Sequence, residues 1–292
     1  MAKKSKITPY VFLLPFLLLF VIFRFWPLVS SFLLSLQKLK GIGAEEFIGL
    51  ENYRNLFKDL RFTFTLQITS YFTGGSLILL AIIPLLLANV LFLNRARLRN
   101  VYRAVIFLPG LVSLVVVGTV FRLILADQNG LLNKALGLLG VQPIPWLMAA
   151  ELTVPSLIII ALWRWTGMNI VYFTSGLSSI SPEVYEAARI DGAAGFSLFR
   201  FITLPLMKPI IIFVVTIGII GGYQVFVEPY VLYSAGRTPG DSGLTTVLYI
   251  YRLAFRNFDM GYASAVGIVL ALIIFLVSIV QFQFTGFFRK RQ

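Results

Sequence analysis

Cysteine and histidine are both absent from this chain of 292 residues. Disulfides are therefore excluded, as are thiol and imidazole nucleophiles and the usual zinc ligand sets. The phosphate loop G-x-x-x-x-G-K-[ST] is missing too, because no glycine is directly followed by a lysine anywhere in the sequence. We expect no catalytic residue, no metal and no cofactor on this chain, so any ATP hydrolysis would have to occur on another polypeptide.

Charged residues are scarce, at 13% of the chain, whereas hydrophobic residues make up 58% and the mean hydropathy is +0.88. Apolar segments of roughly 20 residues recur, which is the length of a helix that crosses a bilayer. The sequence predicts an all-α membrane protein with six transmembrane helices in a single domain, 1–292. The predicted spans lie near 10–34, 66–92, 102–125, 152–177, 203–230 and 261–284.

The basic residues, which give a net charge of +13, are distributed unevenly between the predicted loops. A cytoplasmic N-terminus places the basic clusters around Lys3, Arg97, Arg200 and Arg289 on the inner side with few acids. The outer loops carry both signs in similar numbers. The positive-inside rule therefore predicts that both termini are cytoplasmic. Because the bases flank the spans, we expect them to face anionic lipid headgroups, and we do not expect nucleic acid as a partner.

A segment of charged and small residues, EVYEAARIDGAAGFSLFRFITLPLMKP, separates the predicted fourth and fifth spans. Ser181, which is followed by proline, predicts a helix start, and Glu183 and Glu186 place negative charge in the first turns. Gly192 can adopt a backbone angle that ends this helix and lets a second one follow. The sequence thus predicts a helix–turn–helix at a membrane face, within the loop 181–200.

This segment resembles the EAA loop of permease subunits from bacterial ATP-binding-cassette importers. The resemblance rests on the order and spacing of EAA at 186–188, DGA at 191–193 and ITLP at 202–205. In that family the loop enters a cleft of a cytoplasmic ATPase, which implies a coupling helix between spans 4 and 5. The implied coupling residues are Glu186, Ala187, Ala188, Asp191, Gly192 and Ala193. If EAA stood alone, an ordinary interfacial helix that ends at a glycine would be the better interpretation.

Further motifs are similar to the carbohydrate-uptake branch of that family. FIGLENY at 47–53, FLP at 107–109 and MGYASA at 260–265 match it, whereas 233–246 departs from its usual pattern. The resemblance implies that the substrate is a sugar or an oligosaccharide and that the protein lies in the bacterial cytoplasmic (inner) membrane. It also implies three kinds of partner: a second homologous permease, two cytoplasmic ATPase subunits that bind ATP and magnesium, and an external solute-binding protein.

Polar side chains inside the predicted spans are candidates for the substrate path, because an arginine at a helix centre costs about 2.5–3.5 kcal/mol to insert. Arg164 lies near the middle of the fourth span, and we expect Gln224 of the fifth span to be its polar neighbour. Two alternatives stay open: contact with substrate, or an internal ion pair or carbonyl clamp. The candidate residues are Trp163, Arg164, Trp165, Asn169, Tyr223, Gln224 and Glu228.

Gly218 and Gly222 form a G-x-x-x-G pair in the predicted fifth span. Such a pair lets helices approach closely in lipid. Packing within the chain is the favoured interpretation, and contact with another subunit is the alternative.

Other classes of protein share some of these features. A secondary transporter or a channel would also have six spans and buried charges, but it would not need a coupling loop. An ATP-driven importer of a non-sugar solute would share the loop. A membrane enzyme is disfavoured, because paired acids with metal-binding spacing are missing. Dependence of uptake on ATP, and not on an ion gradient, separates the importer from the first alternative.

The absence of cysteine makes the predicted topology directly testable. Single cysteines at Lys58 and Asp241 are expected to react with an impermeant thiol reagent added outside intact cells. Cysteines at Arg97 and Ala193 are expected to react only after the membrane has been opened. Labelling of Ala193→Cys from outside would contradict the predicted orientation.

Overall fold

The computed structural model describes residues 8–39, 41, 46–93 and 99–285. These residues form two compact units, the first up to Phe62 together with Tyr249–Leu272, and the second comprising Thr63–Leu248 and the residues from Ile273 onward. The prediction of a single domain over 1–292 stays a prediction. Lys3, Arg97 and Arg289, on which the predicted topology partly depends, lie outside the described residues.

The described residues are mostly helical. Their helices, in chain order, are α1 (Thr8–Phe20), α2 (Trp26–Ser35), α3 (Glu51–Leu56), α4 (Leu60–Leu93), α5 (Arg99–Leu111), α6 (Leu114–Ile124), α7 (Leu131–Gly137), α8 (Ala150–Ser178), α9 (Pro182–Ile190), α10 (Gly195–Leu198), α11 (Leu204–Leu206), α12 (Lys208–Tyr223), α13 (Val227–Leu232), α14 (Thr246–Phe255) and α15 (Met260–Phe284). Short π-helical turns, Val21–Phe25 and Phe199–Thr203, join α1 to α2 and α10 to α11, and a 3₁₀ turn, Pro239–Asp241, precedes α14. Strands β1 (Gln37–Lys38) and β2 (Glu46–Phe47) pair antiparallel, with Gln37 opposite Phe47.

In the described part of the chain, four helical segments are long and apolar enough to cross a membrane: Tyr10–Ser35, Leu60–Leu91, Ala150–Ser178 and Met260–Phe284. Each agrees with a predicted span to within a few residues, except that α4 begins six residues before the predicted 66. Its first turns alternate polar Arg61, Thr63 and Thr65 with apolar residues, so they lie outside the long apolar run. Two bent pairs also qualify, Val105–Leu111 with Leu114–Ile124 and Gly195–Leu206 with Lys208–Tyr223. By length and composition, the described residues therefore offer four membrane-crossing helices, or up to six if each bent pair is one span.

The bends show where the predicted spans 102–125 and 203–230 are wrong as single helices. The first pair turns by 109° shortly after Pro109, which has no backbone N–H to support the last turn of α5. The second turns by 67° at Met207, just before Pro209 in the first turn of α12. A further break follows Tyr223, where α12 ends after two consecutive glycines with poor helix propensity. Hydropathy alone does not reveal such breaks, because the residues on both sides are apolar.

Side chains from neighbouring segments satisfy the backbone carbonyls that these breaks leave free. The Arg164 guanidinium of α8 donates to the carbonyl of Val112, in the bend between α5 and α6. The hydroxyl of Thr245 donates to the carbonyl of Val225, after the end of α12, at 2.9 Å. Arg122 of α6 donates to the last carbonyls of α13, with a distance of 3.0 Å from its Nε to the Leu232 oxygen. The bend after α5, the break after α12 and the end of α13 thus each have a side-chain donor from another segment of the second unit.

Helix α8 passes through both apolar clusters of the second unit. One cluster surrounds Leu157 and Ile160 and includes side chains of α6, and the other surrounds Phe173 and Leu177 and includes side chains of α4 and α12. Helix α5 lies so close to α8 that a Cβ at Gly167 would collide with the carbonyl oxygen of Ile106. Backbone contact of this kind needs glycine, so Gly167 fixes the distance between the two helices.

The FIGLENY motif has a structural role in the first unit. The Asn52 amide donates to the carbonyls of Ser35 and Gln37, both at 2.9 Å, and the Tyr53 hydroxyl lies 2.6 Å from the Ser35 hydroxyl. These bonds attach α3 to the end of the first membrane-crossing segment. At the start of α15, a Cβ at Gly261 would collide with the Gln37 carbonyl. The backbone at Gln37, which accepts a hydrogen bond from Asn52, therefore also contacts α15.

Asp59 connects three helices of the first unit. Its Oδ2 accepts hydrogen bonds from the hydroxyls of Tyr249 and Tyr262, both at 2.7 Å, and its Oδ1 accepts one from the backbone N–H of Arg61 at 2.8 Å. Burial raises the pKa of this carboxyl, but the hydrogen bonds from the two tyrosines and from the backbone N–H groups of Phe62 and Arg61 outweigh that effect. The pKa of Asp59 therefore lies below its ordinary value.

Because the folded-state pKa of Asp59 is depressed, its carboxylate stabilises the fold above the unfolded-state pKa. This contribution is lost as the pH falls through the folded-state value. Tyr262→Phe removes one hydrogen bond to the carboxylate and is expected to cost about 1 kcal/mol at neutral pH. The measurement is the Tm in detergent between pH 7 and pH 2.5.

Tyr71→Phe is the matched control, because Tyr71 is an exposed tyrosine on α4. It is expected to leave the Tm unchanged across the same range of pH. A Tm deficit in Tyr262→Phe that does not shrink towards pH 2.5 would contradict the role given to Asp59.

Candidate functional site

The loop predicted to couple to an ATPase contains a helix, α9, that begins at Pro182. Ser181 has the extended backbone of an N-cap residue, with φ −60° and ψ 135°. Its hydroxyl does not cap the helix and instead donates to the Glu183 carboxylate at 3.2 Å. The proline and the acid in the first turn are therefore the local signals that act here, and the predicted hydroxyl cap does not form.

Helix α9 ends in a Schellman motif centred on Gly192. Gly192 has φ +87°, its N–H donates to the Arg189 carbonyl at 3.0 Å, and the Ala193 N–H donates to the Ala188 carbonyl at 2.8 Å. A Cβ at position 192 would meet no atom within 4 Å, so the backbone angle, and not crowding, requires glycine. Asp191 is the C-cap residue of α9 and directly precedes Gly192. The motif reverses the chain from α9 into α10.

The six predicted coupling residues divide into two groups by exposure. Glu186, Ala187, Asp191 and Gly192 are exposed, whereas Ala188 is buried and Ala193 is half-buried. The same helix–turn–helix also exposes large apolar side chains: Ile190 is 87% exposed, Phe196 77% and Phe201 71%. Thr203 donates to the Tyr185 hydroxyl at 3.5 Å, which attaches α9 to the π-helical turn. The segment is therefore anchored from within and presents acids, Glu183, Glu186 and Asp191, and several apolar side chains outward.

Arg164, near the centre of α8, is only 8% exposed. Its Nη1 donates to the Val112 carbonyl, and its guanidinium carbon lies 5.2 Å from the centroid of the Trp165 ring. Glu228 is near enough to attract it electrostatically, but the two side chains form no ion pair within 4 Å among the described residues. Of the two alternatives left open by the sequence, this geometry is that of a carbonyl clamp.

A cavity of about 140 Å³ lies in the second unit, between α4, α8 and α12. Three of the predicted substrate-path residues line it: Trp165, Asn169 and Glu228. Glu228 is 8% exposed, and the Asn169 amide donates to the Leu80 carbonyl at 3.0 Å. The remaining lining residues are Phe72, Ser76, Leu77, Leu80, Ala161, Val214, Ile217, Gly218, Gly221, Gly222 and Val225. The wall is thus mostly apolar, with an indole, an amide and a carboxylate.

The other predicted path residues lie away from this lining. Trp163 packs edge-to-face on Phe121 with 5.3 Å between ring centroids, and the Tyr223 hydroxyl lies 3.1 Å from the Ser70 hydroxyl. Gln224 is exposed at the C-cap of α12. Among the described residues the hydrogen-bond partner of Arg164 is the Val112 carbonyl, so the prediction that Gln224 is its neighbour gains no support.

The cavity residues of α4 and the glycines of α12 were not recognised from the sequence as site residues. Apolar and small side chains carry no chemical signal of their own, and only the packing of α4 against α12 brings them together. The described residues contain no group of three or more acids that could hold a metal ion.

Comparison with known proteins places these features in context. The family model described as "Binding-protein-dependent transport system inner membrane component" matches residues 80–290. The arabinooligosaccharides transport system permease protein AraP of Halalkalibacterium halodurans is 39% identical, over 99% of this chain and 90% of that protein. The lactose transport system permease protein LacF of Rhizobium radiobacter is 33% identical, over 94% and 92%.

A solved structure has the same fold. It is a bacterial alginate ABC transporter in complex with an alginate pentasaccharide-bound periplasmic protein. The TM-score is 0.86 at 24% identity, and the match covers 97% of this chain and 95% of that one.

The Schellman motif makes the end of α9 sensitive to Gly192. Gly192→Ala forces a Cβ into the left-handed region, which costs about 1 kcal/mol, equivalent to about fivefold in a local opening equilibrium. Backbone amides of α9 are therefore expected to exchange with deuterium about fivefold faster. Gly74→Ala, in the interior of α4 where a Cβ has open space, is the control and should leave α9 unchanged. Equal exchange of α9 in both variants would contradict the role of Gly192.

Proposed function

The chain belongs to the family of inner membrane components of binding-protein-dependent transport systems, and we propose that it is a permease subunit of an ATP-driven sugar importer. The observation that carries this proposal is the similarity to a permease for arabinooligosaccharides, which extends over 99% of the chain. The similarity to a lactose permease supports the same substrate class. The cargo is a sugar or an oligosaccharide, and the chain transports it without making or breaking a covalent bond.

The helix–turn–helix formed by α9 and α10 is the coupling segment of the proposed importer. Its exposed acid, Glu186, and its exposed apolar side chains, Ile190, Phe196 and Phe201, suit insertion into a cleft of a cytoplasmic ATPase. An apolar contact with a polar rim is the usual composition of a protein interface. The ATPase partners supply ATP and magnesium, and this chain supplies the surface that follows their movement.

Movement of the coupling segment reaches the cavity through one continuous path. Helix α10 leads through the π-helical turn and α11 to Met207, which is fully buried, and then directly into α12. Helix α12 forms one wall of the cavity. When the ATPase subunits close and displace α9 and α10, the bend at Met207 transmits the displacement to this wall, which alternates access between the two sides.

The chemistry of the cavity suits a saccharide. The Trp165 ring can stack on the C–H face of a sugar, while the Glu228 carboxylate and the Asn169 amide oxygen can accept hydrogen bonds from hydroxyls. Arg164 acts as a positioning residue, because it holds Trp165 and the bend at Val112 in place. Trp163, Tyr223 and Gln224 stay candidates for contacts made in other conformations or with the second permease.

The cavity is too small for an oligosaccharide in the conformation described. Ligand pockets commonly measure about 300–1,000 Å³, whereas this cavity measures about 140 Å³. We propose that it forms one half of the pathway and that a second homologous permease supplies the other half. An external solute-binding protein delivers the sugar, two cytoplasmic ATPase subunits drive the cycle, and both termini of this chain are cytoplasmic.

The test is uptake by the complete complex, isolated through a tag on this chain and reconstituted in liposomes with its solute-binding protein. Radiolabelled arabinooligosaccharides should accumulate only when ATP is supplied on the ATPase side, and ionophores should not reduce the uptake. Glu186→Lys is expected to lower uptake at least about tenfold, because like charges brought together across an interface cost several kcal/mol.

The matched control is Glu183→Lys, which reverses a second exposed acid in the first turn of the same helix. Glu183→Lys should retain most of the uptake at equal amounts of assembled complex. Equal loss in both variants would show that the charge of α9, and not a contact made by Glu186, matters. Uptake that follows an ion gradient without ATP would overturn the proposed function.

A further inference from the structure

Helix α12 carries three glycines near its C-terminal end, and two of them are needed for packing. A Cβ at Gly218 would lie 2.5 Å from Cδ1 of Leu77, and a Cβ at Gly222 would lie 2.6 Å from Cγ2 of Thr73. Both contacts are shorter than van der Waals distance, so these two glycines let α12 approach α4. They account for the G-x-x-x-G pair as packing within the chain.

Gly221, the third glycine, has no such reason to be a glycine. A Cβ at this position would meet no atom within 4 Å. The residue is exposed, it lies within a helix, and it lines the cavity. A glycine in a helix is less favourable than alanine by roughly 1 kcal/mol. Gly221 contributes to the end of α12, but no contact among the described residues requires the absence of a Cβ at this position.

We propose that Gly221 is a specificity-determining residue, which keeps α12 from extending a side chain into the cavity and so sets the width available to the sugar. This inference rests on the proposed function. The cavity measures about 140 Å³, so even a small side chain on its wall removes a noticeable part of it. Backbone without a side chain also lets a sugar ring approach the helix closely, across from the polar groups that bind its hydroxyls.

The position of Gly221 in the chain makes it suited to this role. It precedes the packing glycine Gly222 and lies seven residues before Glu228, which lines the same cavity. Because α12 is the wall that moves with the coupling segment in the proposed cycle, a side chain at 221 would narrow the path in every conformation. Long oligosaccharides fill the whole width and length of the pathway, whereas short ones can use the space that is left.

The first experiment measures uptake of a length series of labelled arabinooligosaccharides, from disaccharide to hexasaccharide, by complexes carrying Gly221→Ala or Gly221→Leu. Gly221→Leu should lower the ratio of hexasaccharide to disaccharide uptake by about tenfold or more, a size of effect that added methylenes have on discrimination in binding pockets. Gly221→Ala should shift the ratio in the same direction by less. Gly74→Leu is the matched control, because a Cβ at Gly74 also meets open space but Gly74 does not line the cavity.

A uniform loss of uptake for all lengths, or failure of even Gly221→Ala to assemble with the other subunits, would overturn the proposal. Either result would make Gly221 a packing residue against a partner. An unchanged ratio in Gly221→Leu would overturn it as well.

The second experiment does not depend on transport. The chain has no cysteine, so Gly221→Cys introduces a unique thiol, and Gly74→Cys serves as its control. In the assembled complex, Gly221→Cys should react with a small water-soluble methanethiosulfonate reagent, and arabinooligosaccharide should slow that reaction at least about threefold, as expected for a mostly occupied site. Gly74→Cys should show no protection.

The two experiments separate failure of this inference from failure of the proposed function. If the parent complex takes up none of the sugars, the proposed function fails in its substrate class. In that case labelling of Gly221→Cys by the aqueous reagent still decides whether position 221 lines a water-filled path, and absence of labelling overturns the inference.

Discussion

A backbone carbonyl that leaves a helix inside a membrane has no water to bind, and the structure of the second unit depends on how this constraint is met. Arg164 donates to the carbonyl in the bend between α5 and α6, Thr245 to the carbonyl after α12, and Arg122 to the end of α13. Arg164 lies near the middle of α8, about 20 Å from either end at the rise of a helix. The guanidinium therefore satisfies a carbonyl that the bend leaves free, and the Trp165 ring lies beside its charge.

Donors of this kind allow helices to be broken where function needs it. In the proposed importer, an unbroken α12 would not turn at Met207, and a displacement of α9 and α10 would not act on the cavity wall through a bend. An unbroken α12–α13 would also carry Glu228 on a different face. The breaks divide the second unit into short segments, while α8 is continuous, packs against α5 at Gly167 and contributes to two apolar clusters.

Local signals in the sequence predicted local structure well. A proline after Ser181 and a glycine at 192 placed the start and the reversal of α9. The long apolar runs placed four helices, three of them within a few residues at both ends. The helix breaks, and the contacts between residues far apart in the chain, could not be predicted from the sequence as well. The predicted span 203–230 includes two breaks, because hydropathy is the same on either side of each, and the partner of Arg164 depends on the position of the bend at Val112, which the sequence does not reveal.

The residues that line the cavity could also be predicted only in part from the sequence. Trp165, Asn169 and Glu228 could be selected as polar or aromatic groups inside predicted spans, but Trp163 and Gln224, selected by the same criterion, point elsewhere. Helical phase decides which of two neighbouring residues reaches the cavity, and phase is lost at every break. The glycines of α12 differ from one another only by what a Cβ would meet, which is a property of the fold.

The bond between Arg164 and Val112 also has a consequence for how the protein is made. The bend that follows α5 emerges from the ribosome before α8 does, and until α8 is present its carbonyl lacks the guanidinium that satisfies it. Arg164 in turn enters the bilayer with this hydrogen-bond acceptor only if the bend is already there. The two segments are therefore partners in biogenesis, and lateral release into lipid favours them as a pair over either one alone.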